Sequence, residues 1–571
     1  MDWINIQSSG TLSSAFGMFP EHRYYYLHNF QQALDWLAAR YADVFSPGEQ
    51  EFLRVFPGLP RPARALLVRL VMRRHTVFRA QRLQYEEIGP VVPAAEPLLA
   101  LGWLRADPVL PWSDWAALHT KDELARRYPQ AALRVSLRKA ELLAALEAAL
   151  GEPNSRPCSG WGAGPDEAIW SVEVAPLVRR LRLMFFGNLD QAWSEFVLAD
   201  LGIFQYEQVA IDAGNRAFLC AADVDVYLAL QDVRDQLDAA QPDQAAALHA
   251  QVAACATAVP WLARRQAKVW FRLGQWCERA ADWEQAERAY RASVHSGARQ
   301  RLIRVLERQQ RFAEAHALAG QALDHAESET ERQLVRRMMP RLARQTGLAV
   351  APGRAGPPLT PSMLTLSRPV DDCRVELAAR DHFAGEGARV HWVENGLINS
   401  LFGLLCWDAV FQPVAGAFFH PFQRGPADLH EPGFRARRAQ AFDACLDTLR
   451  TGGYRERILA RFQQKAGIQS PFVSWGMLTP ELLGLALDCI PAEHLALWFA
   501  RLLDDLGANR SGLPDLARFW PAERRYELIE VKGPGDRLQD NQIRWLEYAV
   551  AHGLPVRVCH VRWAVRQEQA A

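Results

Sequence analysis

Paired cysteines, a signal segment and an excess of charge of one sign are all missing. The nine cysteines among 571 residues form no C-x-x-C pair, which argues against a zinc site and a disulfide framework and leaves buried free thiols as the expectation. Basic and acidic residues balance at 65 each, so no global field attracts a polyanion and any such binding must come from local patches. No apolar run reaches bilayer-spanning length, and the N-terminal MDWINIQSSG lacks a charged-then-apolar pattern, so a cytoplasmic protein is expected. At roughly 150 residues per domain the length implies three or four folding units.

Local patches do exist. Seven arginines (Arg61, Arg64, Arg69, Arg73, Arg74, Arg79 and Arg82) fall in a stretch without acidic residues, where Leu66, Leu67, Leu70 and Val71 supply a helical apolar stripe. Such a segment is either a solvated helix face or a phosphate-binding surface. Two Gly/Pro-rich segments, Gly151 to Asp166 and Val350 to Pro369, read as linkers. Ahead of the first, Thr120 and Glu123 form a capping box that starts a helix, and SLRKAELLAAL predicts a second from Ser136. These two short helices, with Lys121 and Lys139 near their starts, resemble the SAP module, a DNA-binding unit. Residues 167–349 read as all helical, and Leu273, Trp283 and Ala286 recur 29 residues later as Leu302, Phe312 and Ala315. That echo resembles tetratricopeptide-type hairpins, which serve as a helical spacer or as a surface for DNA or a protein partner.

After residue 510 the pattern alternates as strands do: GLPDLARFW, PAERR, YELIEVKG. A chain reversal within Trp520 to Arg525 pairs Phe519 with Tyr526 and sets Asp515 opposite Glu530. Two facing carboxylates need water or a cation between them, and a hard divalent ion fits best. Glu530 and Lys532 share a strand face while Val531 points away, so Lys532 can stabilise phosphate charge or position water, and the Val531 backbone carbonyl is a further hard ligand. Taken alone, E-V-K also suits a solvated strand. The Pro-Asp, the glutamate fifteen residues on, the x-Lys, the Gly-Pro-Gly-Asp turn and a helix bearing Gln542 together resemble the PD-(D/E)xK nuclease core, and within it the VRR-NUC domain. Glu394, heading the apolar LINSLFGLLCWDAVF segment, is either a carboxylate complementing a helix dipole or a third acidic ligand.

Blocks along the whole chain, among them YYLHNFQQALDWLAARYADVF, LLVRLVMRRHTVFRAQRLQYEEI, MFFGNLDQAWSEFVLADLG and LFGLLCWDAVF, are similar to the Fanconi-associated nuclease family. The resemblance implies a bacterial member: a multidomain, mainly α protein with a C-terminal α/β nuclease core. Its expected parts are an N-terminal helical DNA-binding domain (1–90), SAP-like helices (91–150), helical repeats (167–349) and a nuclease domain (366–571) with its VRR-NUC core at about 455–565. It further implies that Glu394 joins the metal site. The expected site is therefore catalytic Asp515, Glu530 and Lys532, metal ligands Glu394, Asp515, Glu530 and the Val531 carbonyl, Gln542 in support, and Arg69, Arg73, Arg74, Arg79, Arg82, Lys121 and Lys139 on DNA. The expected activity is that of a metal-dependent DNase using Mg²⁺ or Mn²⁺, of phosphodiesterase I type: a 5′-flap endonuclease and 5′-to-3′ exonuclease in interstrand crosslink repair. No ubiquitin-binding zinc finger of the kind animal members carry is expected. Alternatives of a different kind are a four-way-junction resolvase and a non-catalytic DNA-binding scaffold.

Overall fold

The computed structural model describes residues 23–128, 138–150, 155–161, 167–193, 204–349, 361–368, 374–385 and 387–564. The expected helix start at Ser136 and much of both expected linkers lie outside these ranges. The chain divides into two compact units, Met1–Ile203 with Phe218–Val224, and Phe204–Ala217 with Asp225–Ala571.

In the first unit, helices Tyr25–Tyr41, Pro47–Val55, Arg61–Val71 and Val91–Ala100 bury apolar stripes on one another. Helix Arg61–Val71 buries Leu66, Leu67 and Leu70 of the stripe read from the sequence, together with Ala63, while Val71 is half-buried. A three-stranded antiparallel sheet sets Ile169–Val172 between Val77–Arg79 and Leu104–Ala106. Two boundaries therefore shift. Residues 91–106 join the N-terminal helices rather than the SAP-like pair, and Ile169–Val172 is a strand rather than the start of a helical region. All four of its residues are buried, and so short an apolar run suits a strand covered on both faces.

The capping box forms as expected, with the Glu123 N–H donating to Thr120 Oγ1 and the Thr120 N–H to Glu123 Oε2. Helices Lys121–Arg127 and Lys139–Leu150 place Leu124, Leu142 and Leu146 in a core with Trp112 and Trp115. Part of the first expected linker is folded. Arg156–Pro157 pairs with Val109–Leu110, and the buried Trp161 indole donates to the Leu110 carbonyl at 3.1 Å. Burial of Cys158 and Trp161 outweighs the local glycine content.

The second unit carries successive antiparallel helices Pro260–Arg279, Trp283–Ala292, Ala298–Arg308, Phe312–Asp324 and Glu329–Gln345. The 29-residue echo is structural: Leu273 and Ala286 are buried, as are Leu302 and Ala315. Their hairpin turns repeat too, through Ala281 at φ 58° and Gln310 at φ 62°.

The nuclease sheet has five strands in the order β1-β5-β4-β3-β2, where β1 is Ser362–Leu366, β2 Arg389–Trp392, β3 Leu516–Trp520, β4 Arg525–Lys532 and β5 Val556–Trp563. Strand β1 comes from the second expected linker, where the alternation of half-buried Leu364 and Leu366 with exposed Met363 and Thr365 is hidden among neighbouring prolines. Strands β4 and β5 are parallel, joined through helix α3 (Asp540–Ala551). Helix α1 (Val375–Phe383) covers one sheet face, packing Ala379 with Leu516, Ile529 and Val531. Ala517, Phe519, Tyr526 and Leu528 enter the main core on the other face, beside helix α2 (Gly396–Leu405) and Trp545 of α3. The described cysteines are free, and all but Cys220 are buried. Among the described residues no single helix is long and apolar enough to cross a membrane.

A left-handed backbone costs a residue with a Cβ about 1–2 kcal/mol, against about 0.5–1 kcal/mol of extra chain entropy lost by glycine. Ala281→Gly and Gln310→Gly should therefore each stabilise the repeat region by about 0.5–1 kcal/mol, read as a rise in the denaturation midpoint; a fall in either variant would show that the turns carry no such strain.

Candidate active site

The hairpin β3–β4 pairs Leu516 with Ile529 and Phe519 with Tyr526, the register expected from the sequence. Its continuation sets Asp515 opposite Glu530. Asp515 is held from three sides. Its Oδ2 accepts the Val531 N–H at 2.9 Å, and its backbone carbonyl accepts the N–H groups of Val393 and Glu394 at 2.8 and 2.9 Å. The segment before it is tied to the start of α2, because the Leu513 N–H donates to Asn395 Oδ1 and Asn399 Nδ2 donates to the Arg510 carbonyl. Gly512, at φ 92°, presses on α3, and a Cβ there would lie 2.8 Å from the Asn541 carbonyl carbon. Only glycine satisfies both the backbone sign and the contact.

Glu530 is almost wholly buried, at 1% exposure. Its Oε1 accepts Gln542 Nε2 at 2.6 Å and pairs with Lys532 Nζ at 2.8 Å. Gln542 is itself fixed by the Gln539 N–H in the capping box of α3. The other oxygen, Oε2, is buried with no hydrogen-bond partner, an expensive condition for a carboxylate unless something else binds there.

Burial pushes the Asp515 carboxyl up to about 6, with Glu376 and Glu394 adding repulsion against the lowering effects of the Val531 N–H and Lys532. Burial likewise pushes Glu530 up to about 7, and Asp515 and Glu394 add to the rise while Lys532 opposes it. Asp515 and Glu530 thus share one lysine, with Glu376 and Glu394 close enough to add repulsion. The partnerless Glu530 oxygen, the facing Asp515 and the all-oxygen donors fit a hard divalent cation.

Glu394 is exposed, at φ 38°, just before the Asn395 N-cap of α2. Among the described residues no three His, Cys, Asp or Glu side chains already converge on one point, so Glu394 stands beside the Asp515–Glu530 pair without closing on it. Glu376, in the first turn of α1, was not singled out from sequence, and its field on Asp515 places it near the same site. Its signal was missing because α1 is remote in sequence and carries no recognisable spacing to the hairpin.

The N-terminal arginines divide by partner. Arg69 pairs with Glu87 at 2.6 Å and lies over the Tyr26 ring, and Arg79 bridges Glu123 and Glu167 at 2.9 Å each. Arg82 also reaches Glu123, and Lys139 Nζ donates to the Ala117 carbonyl. Arg73 and Arg74 are exposed and, with His75, Arg179 and Arg182, line a cavity of about 460 Å³ in the first unit. Lys121 opens the first SAP-like helix.

Family models match three stretches: VRR-NUC domain over residues 449–563, FAN1 HTH domain over 24–105, and Fanconi anemia-associated nuclease SAP domain over 114–161. The chain is 50% identical over 542 residues to the Fanconi-associated nuclease 1 homolog of Pseudomonas aeruginosa, covering 95% of this chain and 96% of that protein. It is 25% identical to the Arabidopsis thaliana homolog, covering 95% and 68% respectively. The crystal structure of paFAN1 bound to 2nt 5′-flap DNA with gap is similar at a TM-score of 0.88 and 50% identity, covering 95% of this chain and 99% of that one.

Carboxyls raised in the folded state bind protons more tightly there than in the unfolded chain. Their contribution favours folding most at low pH and is lost as pH rises from about 4 to about 7. Without metal, wild-type protein should lose on the order of 2–3 kcal/mol between pH 5 and 8 relative to Glu530→Gln, measured by denaturant unfolding. Parallel pH profiles for the two proteins would contradict the electrostatic reading.

Proposed function

Because the chain belongs to the Fanconi-associated nuclease family, we propose that it cuts branched DNA at 5′ flaps, degrades strands 5′ to 3′, and serves interstrand crosslink repair with Mg²⁺ or Mn²⁺ as its ion. At the coarser level it is a structure-specific, divalent-metal-dependent DNA nuclease of DNA repair. The observation that carries the metal-dependent chemistry is half-buried Asp515 facing buried Glu530, with one Glu530 oxygen clamped by Lys532 and Gln542 and the other free of partners. The 5′-flap DNA bound by the similar paFAN1 structure supports the choice of substrate.

Asp515, Glu530 and the Val531 carbonyl are the proposed ligands, with Glu394 swinging in from the start of α2. When bound, the divalent ion supplies charge neutralisation at the phosphate and a lowered pKa for water. The protein supplies position. The Val531 N–H fixes the Asp515 rotamer, Gln542 fixes that of Glu530, and Lys532, paired with Glu530, donates to a phosphate oxygen or orients the attacking water. Arg73 and Arg74, with Lys121 and Arg82, are the proposed contacts to duplex phosphates, which position DNA without reading its sequence. Arg69 and Arg79 act mainly in holding the fold, given their carboxylate partners, and Lys139 would have to release the Ala117 carbonyl to reach DNA.

Purified protein should cleave a 5′-flap duplex in Mg²⁺ or Mn²⁺. Asp515→Ala should abolish cleavage, and Lys532→Ala should slow it about 10²- to 10³-fold. Arg73→Glu with Arg74→Glu should weaken DNA binding without changing the rate at saturation. Full activity in Asp515→Ala would remove the site, and preferential symmetric cutting of a four-way junction would overturn the choice of flap.

A further inference from the structure

The cavity of about 460 Å³ in the first unit is walled by two separate elements. Arg73, Arg74, His75 and Thr76 come from the segment that follows helix Arg61–Val71, and Arg179 and Arg182 come from helix Ala175–Phe186. Four arginines therefore line one concavity of small-ligand size. Among its described lining residues Glu173 alone is acidic, and that carboxylate is already engaged, accepting the Ser171 hydroxyl at 2.5 Å and pairing with Arg105 at 3.0 Å. Arg73 and Arg74 are exposed, and Arg73 reaches the Tyr85 hydroxyl at 3.4 Å. Arg182 is half-buried. It touches the Leu189 carbonyl at 3.5 Å, and its Nε–H is buried with no hydrogen-bond partner. Burial pulls its pKa down and the Arg179 charge adds to the fall, against the opposing field of Asp190. Like charges crowded in this way call for a counter-ion.

The same wall carries a second attractor for an anion. Ala175 and Pro176, which begin the helix, also line the cavity. This twelve-residue helix has no capping side chain and no acidic residue in its first turn, so the positive end of its dipole lies uncompensated at the cavity wall. Backbone N–H groups at such a helix start accept phosphate oxygens. Arginine adds planar forks of donors that match the same oxygens two at a time. Guanidinium groups from one element, guanidinium groups from another and a helix start thus converge on one concave volume, and all three favour the same ligand chemistry.

We infer that this cavity is a phosphate-binding site, in which Arg179 and Arg182 hold the oxygens beside the helix start and Arg73 and Arg74 complete the charge at its exposed side. The phosphate belongs either to the backbone of bound DNA or to a free phosphate or nucleotide, since both present the same oxygens. The inference goes beyond the metal site and does not depend on it, so binding is read without divalent ion, where cleavage plays no part. Inorganic phosphate is titrated calorimetrically into wild type, Arg182→Gln and Thr76→Glu, and the affinity of each for a short duplex is measured at several salt concentrations. Arg182→Gln removes a binding group. Thr76 is exposed, so Thr76→Glu instead supplies the arginines with an internal carboxylate and leaves the core untouched. Binding should weaken about ten-fold in both variants. A fall in duplex affinity, with a salt slope smaller by about one, identifies a backbone phosphate as the ligand. A fall in phosphate affinity alone identifies a free phosphate-bearing ligand. No difference among the three proteins in either titration overturns the inference, while the metal-site reading stands or falls separately on cleavage and Mn²⁺ binding.

Discussion

Two carboxylates facing each other across adjacent strands, away from water, repel each other and are poorly solvated. Half-buried Asp515 faces the almost wholly buried Glu530 in much that way, and the surrounding structure holds them so. A sheet would ordinarily avoid such a pair. Here Asp515 is locked by the Val531 N–H, Glu530 by Gln542 and Lys532, and neither side chain can swing out to solvent without breaking a buried hydrogen bond. Burial, with carboxylate repulsion added to it, raises both pKa values, and one Glu530 oxygen is left without a hydrogen-bond partner; a divalent cation would relieve both. On the proposed assignment, affinity for the ion and a preorganised phosphate site would arise from the same residues.

The scaffold serves this pair from several directions. The start of α2 holds the strand segment before Asp515 through Asn395 and Asn399, and Gly512 allows that segment to lie against α3, which carries Gln542. Helix α3 is anchored in turn to the last repeat helix, Glu329–Gln345, where Arg337 grips Asp540 at 2.7 Å and Gln333 accepts from Arg544 at 2.6 Å. The last repeat helix is therefore linked to the Glu530 clamp through the first turn of α3, which bears both Asp540 and Gln542. This connects the repeat helices to the helix that carries Gln542 through named contacts.

Much of this was legible in the sequence where the signal was local. The hairpin register follows from strand alternation and a short turn, the capping box at Thr120 from its spacing, and the hairpin echo from a repeat that extends even to the positive-φ turns. Signals failed where tertiary burial overrode composition. Ser362–Leu366 and Arg156–Trp161 sit among prolines and glycines, yet one pairs with β5 and the other buries Cys158 and Trp161. Ile169–Val172 heads a helical stretch but pairs with strands far earlier in the chain. The arginine-rich segment shows the same limit for function. Composition could not tell that Arg69 and Arg79 answer Glu87, Glu123 and Glu167, leaving Arg73 and Arg74 exposed beside a cavity. Glu376 carries no motif, since it matters only through an element that is distant in sequence.

The central claim is that the buried carboxylate pair holds protons until a divalent ion displaces them. Calorimetric titration of Mn²⁺ into the metal-free protein at pH 6.5, repeated in buffers of different ionisation enthalpy, measures the protons released on binding. The account predicts release of about one proton per ion bound, falling away above pH 8 and greatly reduced in Glu530→Gln, which should also bind the ion more weakly. Tight binding without proton release, equal in wild type and Glu530→Gln, would contradict it.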